Sequence, residues 1–310
     1  MLITSPTYDG IVSDIARIAD IAHNHGVPLI VDEAHGAHFC FSDYFPVSAA
    51  QLGADVVINS VHKTLPCLTQ TGVLHLCSSR VSREKLKRFL GIYQSSSPSY
   101  ILMSSIDACM DKLEREGDEM FRVFTENLEK ARVRLGKCKY IRLVTPEVCE
   151  CQRVFDFDRS KILLSTVNSS LNGRQLHRIL REEFHLEMEM EAENYVLALA
   201  AVGDTEEGFR RLCEAVEEIE RRESLKYREE TEEKEPVKNS RMKQVMRISQ
   251  AMDAECGRYC LDECIGRISA EFAYLYPPGI PLLVPGEQIS GHFVKKCEKI
   301  IWNRVLRFRV

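Results

Sequence analysis

No apolar run in these 310 residues approaches the ~20 consecutive positions that a membrane-spanning helix needs. No membrane partner is therefore expected. A basic excess is missing as well: 41 lysines and arginines stand against 46 aspartates and glutamates, giving a net charge of −5 and a pI near 6.0. That balance argues against a nucleic-acid footprint over the surface. The G-x-x-x-x-G-K-[ST] loop that cradles nucleotide phosphates does not occur, which argues against a helicase reading of the tetrad Asp32-Glu33-Ala34-His35. H-E-x-x-H is absent too, so Glu33, His35 and His38 make a poor metal set. The first ten residues, MLITSPTYDG, lack the basic-then-apolar layout of a secretory signal and read as a strand entering a loop.

Twelve cysteines are present, but not as a dense disulfide framework, and they read as reduced thiols in a cytosolic, cytoplasmic setting. Cys149 and Cys151 form a C-x-C pair too small to hold a metal alone. Cys256, Cys260 and Cys264 recur every four residues, which on a helix makes one stripe. With no second Cys or His pair following at knuckle spacing, they read as small buried apolar residues, and no metal is expected.

What is there is ordinary globular composition, 45% hydrophobic and 28% charged, enough for two or three compact units. Residues 13–25 place Ile15, Ile18, Ala19 and Ala22 at helical spacing, with Ser13 or Asp14 as N-cap and Gly26 as the stop. VPLIVD follows as a strand, then VSAAQLG as a short helical stretch, then ADVVINS and TGVLHLC as strands. Uninterrupted apolar strands separated by helices predict an α/β unit with a parallel sheet covered on both faces. A long helical region runs from Tyr100 to Gly136, with a break expected near Gly117. RVFDF, SKILLST, GRQLHRILREEF, NYVLALAAV and EEGFRRLCEAVEEIERR then read strand, strand, helix, strand, helix, a smaller α+β unit. The charged run over 221–243 reads as a boundary, and AYLYPPGIPLLVPGEQIS as turns around a short apolar core.

Two places carry chemistry. Asp32-Glu33-Ala34-His35-Gly36 directly follows one strand, and Ser60-Val61-His62-Lys63 directly follows the next. Ligands of open parallel sheets sit beyond the carboxyl ends of the strands, so this acid and this lysine can face one pocket. A pyridoxal cofactor needs that pair: a lysine to bind its aldehyde and a carboxylate to keep the pyridine nitrogen protonated. Ser60 and His62 flank the lysine as candidate phosphate donors. For a lone Asp or Lys at a strand end, a solvated loop charge is the plainer reading.

TSPTYDGI, PLIVDEAHGAHF, GADVVINSVHKTLPCLTQTGVLH and YQSSSPSYILMSSID resemble the large domain of the fold-type-I ornithine/lysine/arginine decarboxylases. VGDTEEG is similar to that family's small domain and YPPGIPLLVPGE to its C-terminal domain. The resemblance implies pyridoxal phosphate as cofactor and, over residues 1–115, the C-terminal part of an aspartate-aminotransferase-like large domain with a mostly parallel sheet. A small α+β domain would follow at 116–222, a charged linker at 223–243 and the decarboxylase C-terminal domain at 244–310. It implies Lys63 as the Schiff-base lysine, Asp32 as partner of the pyridine nitrogen, and Ala34 against one ring face. His35 would line the site near the substrate carboxylate, and Ser60 and His62 would bind the phosphate. Ser5 and Thr7 lie where such enzymes place a group near the ring hydroxyl. The reaction implied is decarboxylation of arginine, lysine or ornithine to an amine of polyamine biosynthesis. Ser95 to Tyr100 resembles a loop that reaches a neighbouring subunit's cofactor, implying a homodimer.

Fold-type-I aminotransferases share the lysine, the aspartate and the fold; His62 beside Lys63 and the tail motif favour decarboxylation. Family members carry further strands, a phosphate-binding turn and a ring-stacking His before TSPTYDG, so the chain is expected to be N-terminally truncated, with an inactive remnant as the remaining alternative. Pro66-Cys67 departs mildly from relatives with small residues there. Glu271, Tyr274 and Tyr276 could contribute to recognising a cationic side chain, although packing and capping of the C-terminal unit is the plainer role.

Overall fold

The structure, a computed structural model, describes residues 1–151, 154–226, 242–274, 276, 279–300 and 307–309. The centre of the expected linker (227–241), Arg153 of RVFDF, and Pro277 and Pro278 of the tail motif lie outside the described residues. The chain forms two compact units, Met1–Glu232 and Glu233–Val310. Among the described residues, no helix is long and apolar enough to cross a membrane.

The first unit begins with β1 (Leu2–Thr4), β2 (Ile11–Val12) and helix α1 (Ile15–Asn24). Asp14 caps α1 by accepting from the Arg17 N–H, and Gly26 ends it at φ +68°. The apolar stripe Ile15, Ala19 and Ala22 is buried against Leu29, Val31 and Val57 of the sheet. Then follow β3 (Ile30–Asp32), β4 (Val56–Asn59), the single-turn helix α2 (Val61–Thr64) and β5 (Val73–Leu76). The sheet order is β1-β3-β4-β5. β1, β3 and β4 are parallel, with Thr4 level with Asp32 and Asp32 level with Ile58. β5 returns antiparallel, so the sheet is mixed and mostly parallel. VSAAQLG is not a helix: Ser48 to Ala54 is a chain of turns, and its backbone serves a buried carboxylate described below.

Helices α3 (Arg83–Tyr93) and α4 (Tyr100–Leu135) come next. The break expected at Gly117 does not occur, and α4 runs 36 residues without interruption. A glycine costs roughly 1 kcal/mol in a helix interior, but packing of the α4 face outweighs it. Cys109, Leu113, Phe121, Phe124 and Leu128 are all buried in one core with Phe39 and Phe45. Phe45 stacks on Phe124 at 5.8 Å, and Phe41 on Phe121 at 5.3 Å.

The smaller sheet comprises β6 (Arg142–Leu143), β8 (Lys161–Ser165), β9 (Met190–Glu191) and β10 (Tyr195–Leu199), with β7 (Asp156–Phe157) instead pairing β2. Its order is β6-β8-β10-β9, all antiparallel. Helices α5 (Gly173–Phe184) and α6 (Glu206–Lys226) complete it; a capping box between Asn172 and Gln175 starts α5. Period-2 alternation splits β8 between two cores. Ile162 and Leu164 share the core of α4, while Leu163 joins Phe157, Met190 and Leu197 beneath Tyr8 and Ile11. The β1–β2 loop is thereby clamped onto the small sheet. Arg132, buried in α4, braces that junction by donating to the carbonyls of Arg159, Lys161 and Val144 at 3.1–3.3 Å.

The second unit pairs β11 (Lys243–Gln244) with a later strand, followed by α7 (Ile248–Asp253), β12 (Arg258–Cys260), β13 (Ala273–Tyr274), β14 (Pro281–Leu283), β15 (Glu287–Gln288), α8 (Gly291–Ile300) and β16 (Arg307–Arg309). The pairs are β11–β15, β12–β16 and β13–β14. Cys256, Cys260 and Cys264 do not form a helical stripe: Cys260 ends a strand and Leu261–Cys264 is a 3₁₀ turn. Cys264 sits in the core and its thiol donates to the Cys260 carbonyl at 3.1 Å. Tyr274 and Tyr276 are mostly exposed rather than packed into this unit.

A β-carbon at Gly117 would meet only Leu113, at 3.8 Å, an ordinary contact. Gly117→Ala should therefore stabilise the chain by about 0.5–1 kcal/mol through helix propensity and reduced unfolded-state entropy. Urea unfolding with an unchanged m-value is the measurement; a loss of stability would contradict this packing.

Candidate active site

Three adjacent parallel strands end side by side, and each hands over to a loop carrying polar residues. β1 leads to Ser5–Gly10, β3 to Glu33–His38 and β4 to Ser60–Lys63. The sequence-derived candidates Asp32, Ala34, His35, Ser60, His62 and Lys63 thus share the carboxyl edge of β3 and β4, with Ser5 and Thr7 at that of β1.

Glu33, of which the sequence reading made only a poor metal ligand, holds this edge together. Its carboxylate is buried and accepts from Ser48 Oγ at 2.9 Å, Ala49 N at 2.7 Å and Asn59 Nδ2 at 3.1 Å. Asn59 also donates to the Glu33 carbonyl at 3.0 Å, and the Glu33 N–H donates to the Ile58 carbonyl at 2.9 Å. The end of β3 is thereby fastened to the end of β4. Burial raises the Glu33 pKa, while bonds from Ala49, Asn59 and Ser48 oppose the rise.

Around Lys63 the geometry is close. Lys63 Nζ lies 2.9 Å from His35 Nε2. The Tyr8 ring is 4.6 Å from the His35 ring and 6.0 Å from Lys63 Nζ. The Tyr8 hydroxyl donates to Glu189, which arrives from the small sheet. Burial lowers the Lys63 pKa, and nearby Lys161 adds to that; Asp32 and Glu189 work against it. His35 is lowered to about 3, first by burial and then by the charges of Lys161 and Lys63, so its ring is neutral at neutral pH. Its Nδ1 is buried without a hydrogen-bond partner.

The remaining candidates have defined local partners. Asp32 is half-buried, and its Oδ1 accepts from the Ala34 N–H at 3.1 Å. His62 Nδ1 donates to the Thr71 carbonyl at 2.6 Å. Ser60 starts α2 without using its hydroxyl as a cap. Ser5 Oγ and Thr7 Oγ1 accept from the Ser13 and Ile11 N–H groups at 3.0 Å and shape the loop.

Behind His35 lies a group that sequence reading missed. Lys161, Asp158 and His38 have side chains 0–1% exposed. Lys161 Nζ is 2.8 Å from Asp158 Oδ2, and His38 Nε2 is 3.2 Å from Asp158 Oδ1. The stretch DRSK before an apolar strand was the available signal, an acid and a base three residues apart, but a pair at a strand start is more often solvated.

This donor set fits a pyridoxal-type cofactor: a partly buried amine of lowered basicity, a carboxylate one strand away, and hydroxyl and imidazole groups beside the amine. A family model described as "Orn/Lys/Arg decarboxylase, major domain" matches residues 1–165, and one described as "Orn/Lys/Arg decarboxylase, C-terminal domain" matches residues 226–298. The chain belongs to the Orn/Lys/Arg decarboxylase family. A curated arginine decarboxylase from Bacillus subtilis (strain 168) is 33% identical over 291 residues, covering 94% of this chain and 59% of that one. The constitutive lysine decarboxylase of E. coli superposes with a TM-score of 0.71 at 18% identity, over 94% of this chain and 52% of that chain. An aromatic aminotransferase from Pyrococcus horikoshii OT3 matches at TM-score 0.50 and 17% identity, over 72% of this chain and 60% of that chain. The fold is thus that of the pyridoxal-phosphate decarboxylases and aminotransferases. The chain spans between half and three-fifths of the relatives' length.

Neutral buried histidines leave a pH signature. The His35 pKa falls from 6.5 to about 3 on folding, so the unfolded chain binds the extra proton across that window. Stability contributed by neutral His35 is present above about pH 6.5 and is lost as pH falls toward 3, at up to ~1.4 kcal/mol per pH unit. His38, also lowered by burial, acts in the same direction. Urea midpoints measured at falling pH should drop more steeply in the native chain than in His35→Gln; parallel curves would refute a neutral His35.

Proposed function

We propose that this family member is a pyridoxal-phosphate-dependent decarboxylase of a basic amino acid such as arginine, lysine or ornithine, with Lys63 as the lysine that holds the cofactor. The observation that carries the reading is the placement of Asp32 at the end of β3 and Lys63 in the helix that follows the adjacent parallel strand β4. Family membership and the name of the B. subtilis relative support the reaction class.

Pyridoxal phosphate, once bound, supplies a protonated ring that takes up the electron pair left when a carboxylate departs as carbon dioxide. Asp32 would hold the ring nitrogen and keep it protonated. Burial favours the free-amine form of Lys63, the form that can act as nucleophile or take up a proton. Neutral His35 sits 2.9 Å from that nitrogen and orients it. Tyr8 covers the pair from the β1–β2 loop. Ser60 through its hydroxyl, and His62 through Nε2–H when its ring carries a second proton, would donate to a phosphate, and Ala34 would meet a ring face. Ser5 and Thr7, which shape the β1 loop, would meet the ring's substituents.

A second copy as partner is supported by the surface around Ser95–Tyr100. Ile92 and Tyr93 at the end of α3 and Tyr100 and Ile101 at the start of α4 are 60–84% exposed. Such a cluster of large apolar side chains suits an interface.

Adding pyridoxal phosphate should give a visible absorbance band and, after borohydride, a cofactor adduct on the Lys63 peptide by mass spectrometry. Lys63→Ala should lose both. Arginine, lysine or ornithine should release carbon dioxide and the matching amine, and Asp32→Asn should lower that rate on the order of 100-fold or more. No adduct on Lys63 would sink the cofactor assignment, and keto-acid formation in place of carbon dioxide would make the chain an aminotransferase. Ile101→Asp should shift light-scattering mass from dimer toward monomer; a native chain that is monomeric at high concentration would remove the dimer.

A further inference from the structure

The site as read uses Lys63, Asp32 and their neighbours, and leaves unexplained why a lysine, an aspartate and a histidine are sealed behind them. Charges are rarely buried this completely, and this network is built into the loops that carry the site. His38 lies three residues after His35 in a tight loop. The Gly36 N–H donates to the Glu33 carbonyl at 2.9 Å, and the Phe39 N–H to the Gly36 carbonyl at 3.0 Å. A β-carbon on Gly36 would come within 2.7 Å of Glu33 and 2.9 Å of Phe39, so the loop has no slack. His35 is therefore held between two anchors, Glu33 on the sheet and His38 on Asp158.

The loop bearing Tyr8 is shaped by the same network. Gly10, at φ +91°, lies against the Lys161 stem, and a β-carbon there would be 2.7 Å from Lys161 Cγ. The Asp158 N–H donates to the Gly10 carbonyl at 2.8 Å. Both loops beside Lys63, the His35 loop and the Tyr8 loop, rest on Lys161 and Asp158.

We propose that the buried Lys161–Asp158–His38 network is a positioning device for the reactive amine: it fixes His35 against Lys63 and sets a second cation behind the pair, which favours the free-amine form of Lys63. The inference deepens the reading of Lys63 as the cofactor-holding lysine. Hydrogen-bond accounting points the same way. If Lys63 were an ammonium, His35 Nε2 would have to accept, and its proton would sit on Nδ1, buried and without a partner. If Lys63 is an amine, Nε2–H donates to its lone pair and Nδ1 keeps only an unshared acceptor, the cheaper orphan. The charged and titratable groups facing the pair are Asp32 from β3, Tyr8 from the β1–β2 loop, Glu189 from the approach to β9, and Lys161, Asp158 and His38 from behind. Among them Lys161 is the cation that disfavours a proton on both His35 and Lys63.

The test needs no cofactor. In the whole chain, reductive methylation by formaldehyde and cyanoborohydride is followed across pH, and the Lys63 peptide is quantified by mass spectrometry. The double variant Lys161→Gln, Asp158→Asn removes both charges while keeping two groups that can hydrogen-bond. Lys63 labelling at neutral pH should slow about threefold or more, half a pH unit in its profile, while labelling of exposed Lys85 stays the same. Unchanged or faster Lys63 labelling overturns the proposal. Should the double variant not fold, the native chain still decides: nitrogen NMR should show His35 neutral with the proton on Nε2 well below pH 6. Titration of His35 near the ordinary value of about 6.5 overturns it. Failure of borohydride capture on Lys63 would instead sink the cofactor reading and leave this labelling result standing.

Discussion

The Glu33 carboxylate is the fastening on which the candidate site depends. β3 and β4 would share a register in any parallel pair, but register alone does not set the loops that leave them. Glu33 reaches from the end of β3 into the turns at Ser48 and Ala49 and across to Asn59 at the end of β4. Burying a carboxylate is costly unless its oxygens are satisfied, and three donors converge here to satisfy it. The result is a rigid corner from which Asp32 and Lys63 project into the same space. The tetrad Asp-Glu-Ala-His therefore divides its labour: the aspartate and histidine face the site, and the glutamate holds the wall.

A second constraint ties the small sheet to that corner. Lys161 begins β8, and its buried stem runs under Gly10 to reach Asp158. The β2–β7 pairing and the Leu163, Met190, Leu197 core beneath Tyr8 lock the same loop from its other side. The edge that carries the candidate site and the smaller sheet are thus one packed object, in which a shift of β8 would move Tyr8 and His35 together. Interiors this dense transmit displacement rather than absorb it.

The parts of the fold that the sequence made legible are those where one local pattern has one physical meaning. The Ile15, Ala19, Ala22 stripe with Asp14 before it can only pay off as a helix on a sheet. An acid and a lysine at successive apolar strand ends had a geometric consequence that did not depend on tertiary detail. The misreadings share the opposite property. VSAAQLG has helical propensity, yet its Ala49 N–H and Ser48 hydroxyl are taken as donors to Glu33, and the chain turns there instead. Gly117 weakens a helix locally, yet the phenylalanine core along α4 carries the helix through it. TGVLHLC reads the same whether its strand runs parallel or antiparallel, so the reversal of β5 had no signature. The cysteine spacing at 256, 260 and 264 is helical by count alone, with no accompanying apolar periodicity to enforce it.

Lys161 marks the limit more sharply. A lysine next to an aspartate at the start of a strand is, by composition, a solvated pair, and nothing local says that both will be sealed. Burial of such a pair seldom adds net stability, because desolvation consumes the Coulombic gain. A hydrophobic residue of similar volume would fill the space beneath Gly10 at no electrostatic cost. The charges must then be accounted for by what they act upon, and the groups outside the network whose basicity Lys161 depresses are His35 and Lys63. A cation held where salt screens it little adds to the burial that already lowers the Lys63 pKa. The stability forgone at Lys161 and Asp158 thus has a specific destination, the protonation state of one nitrogen.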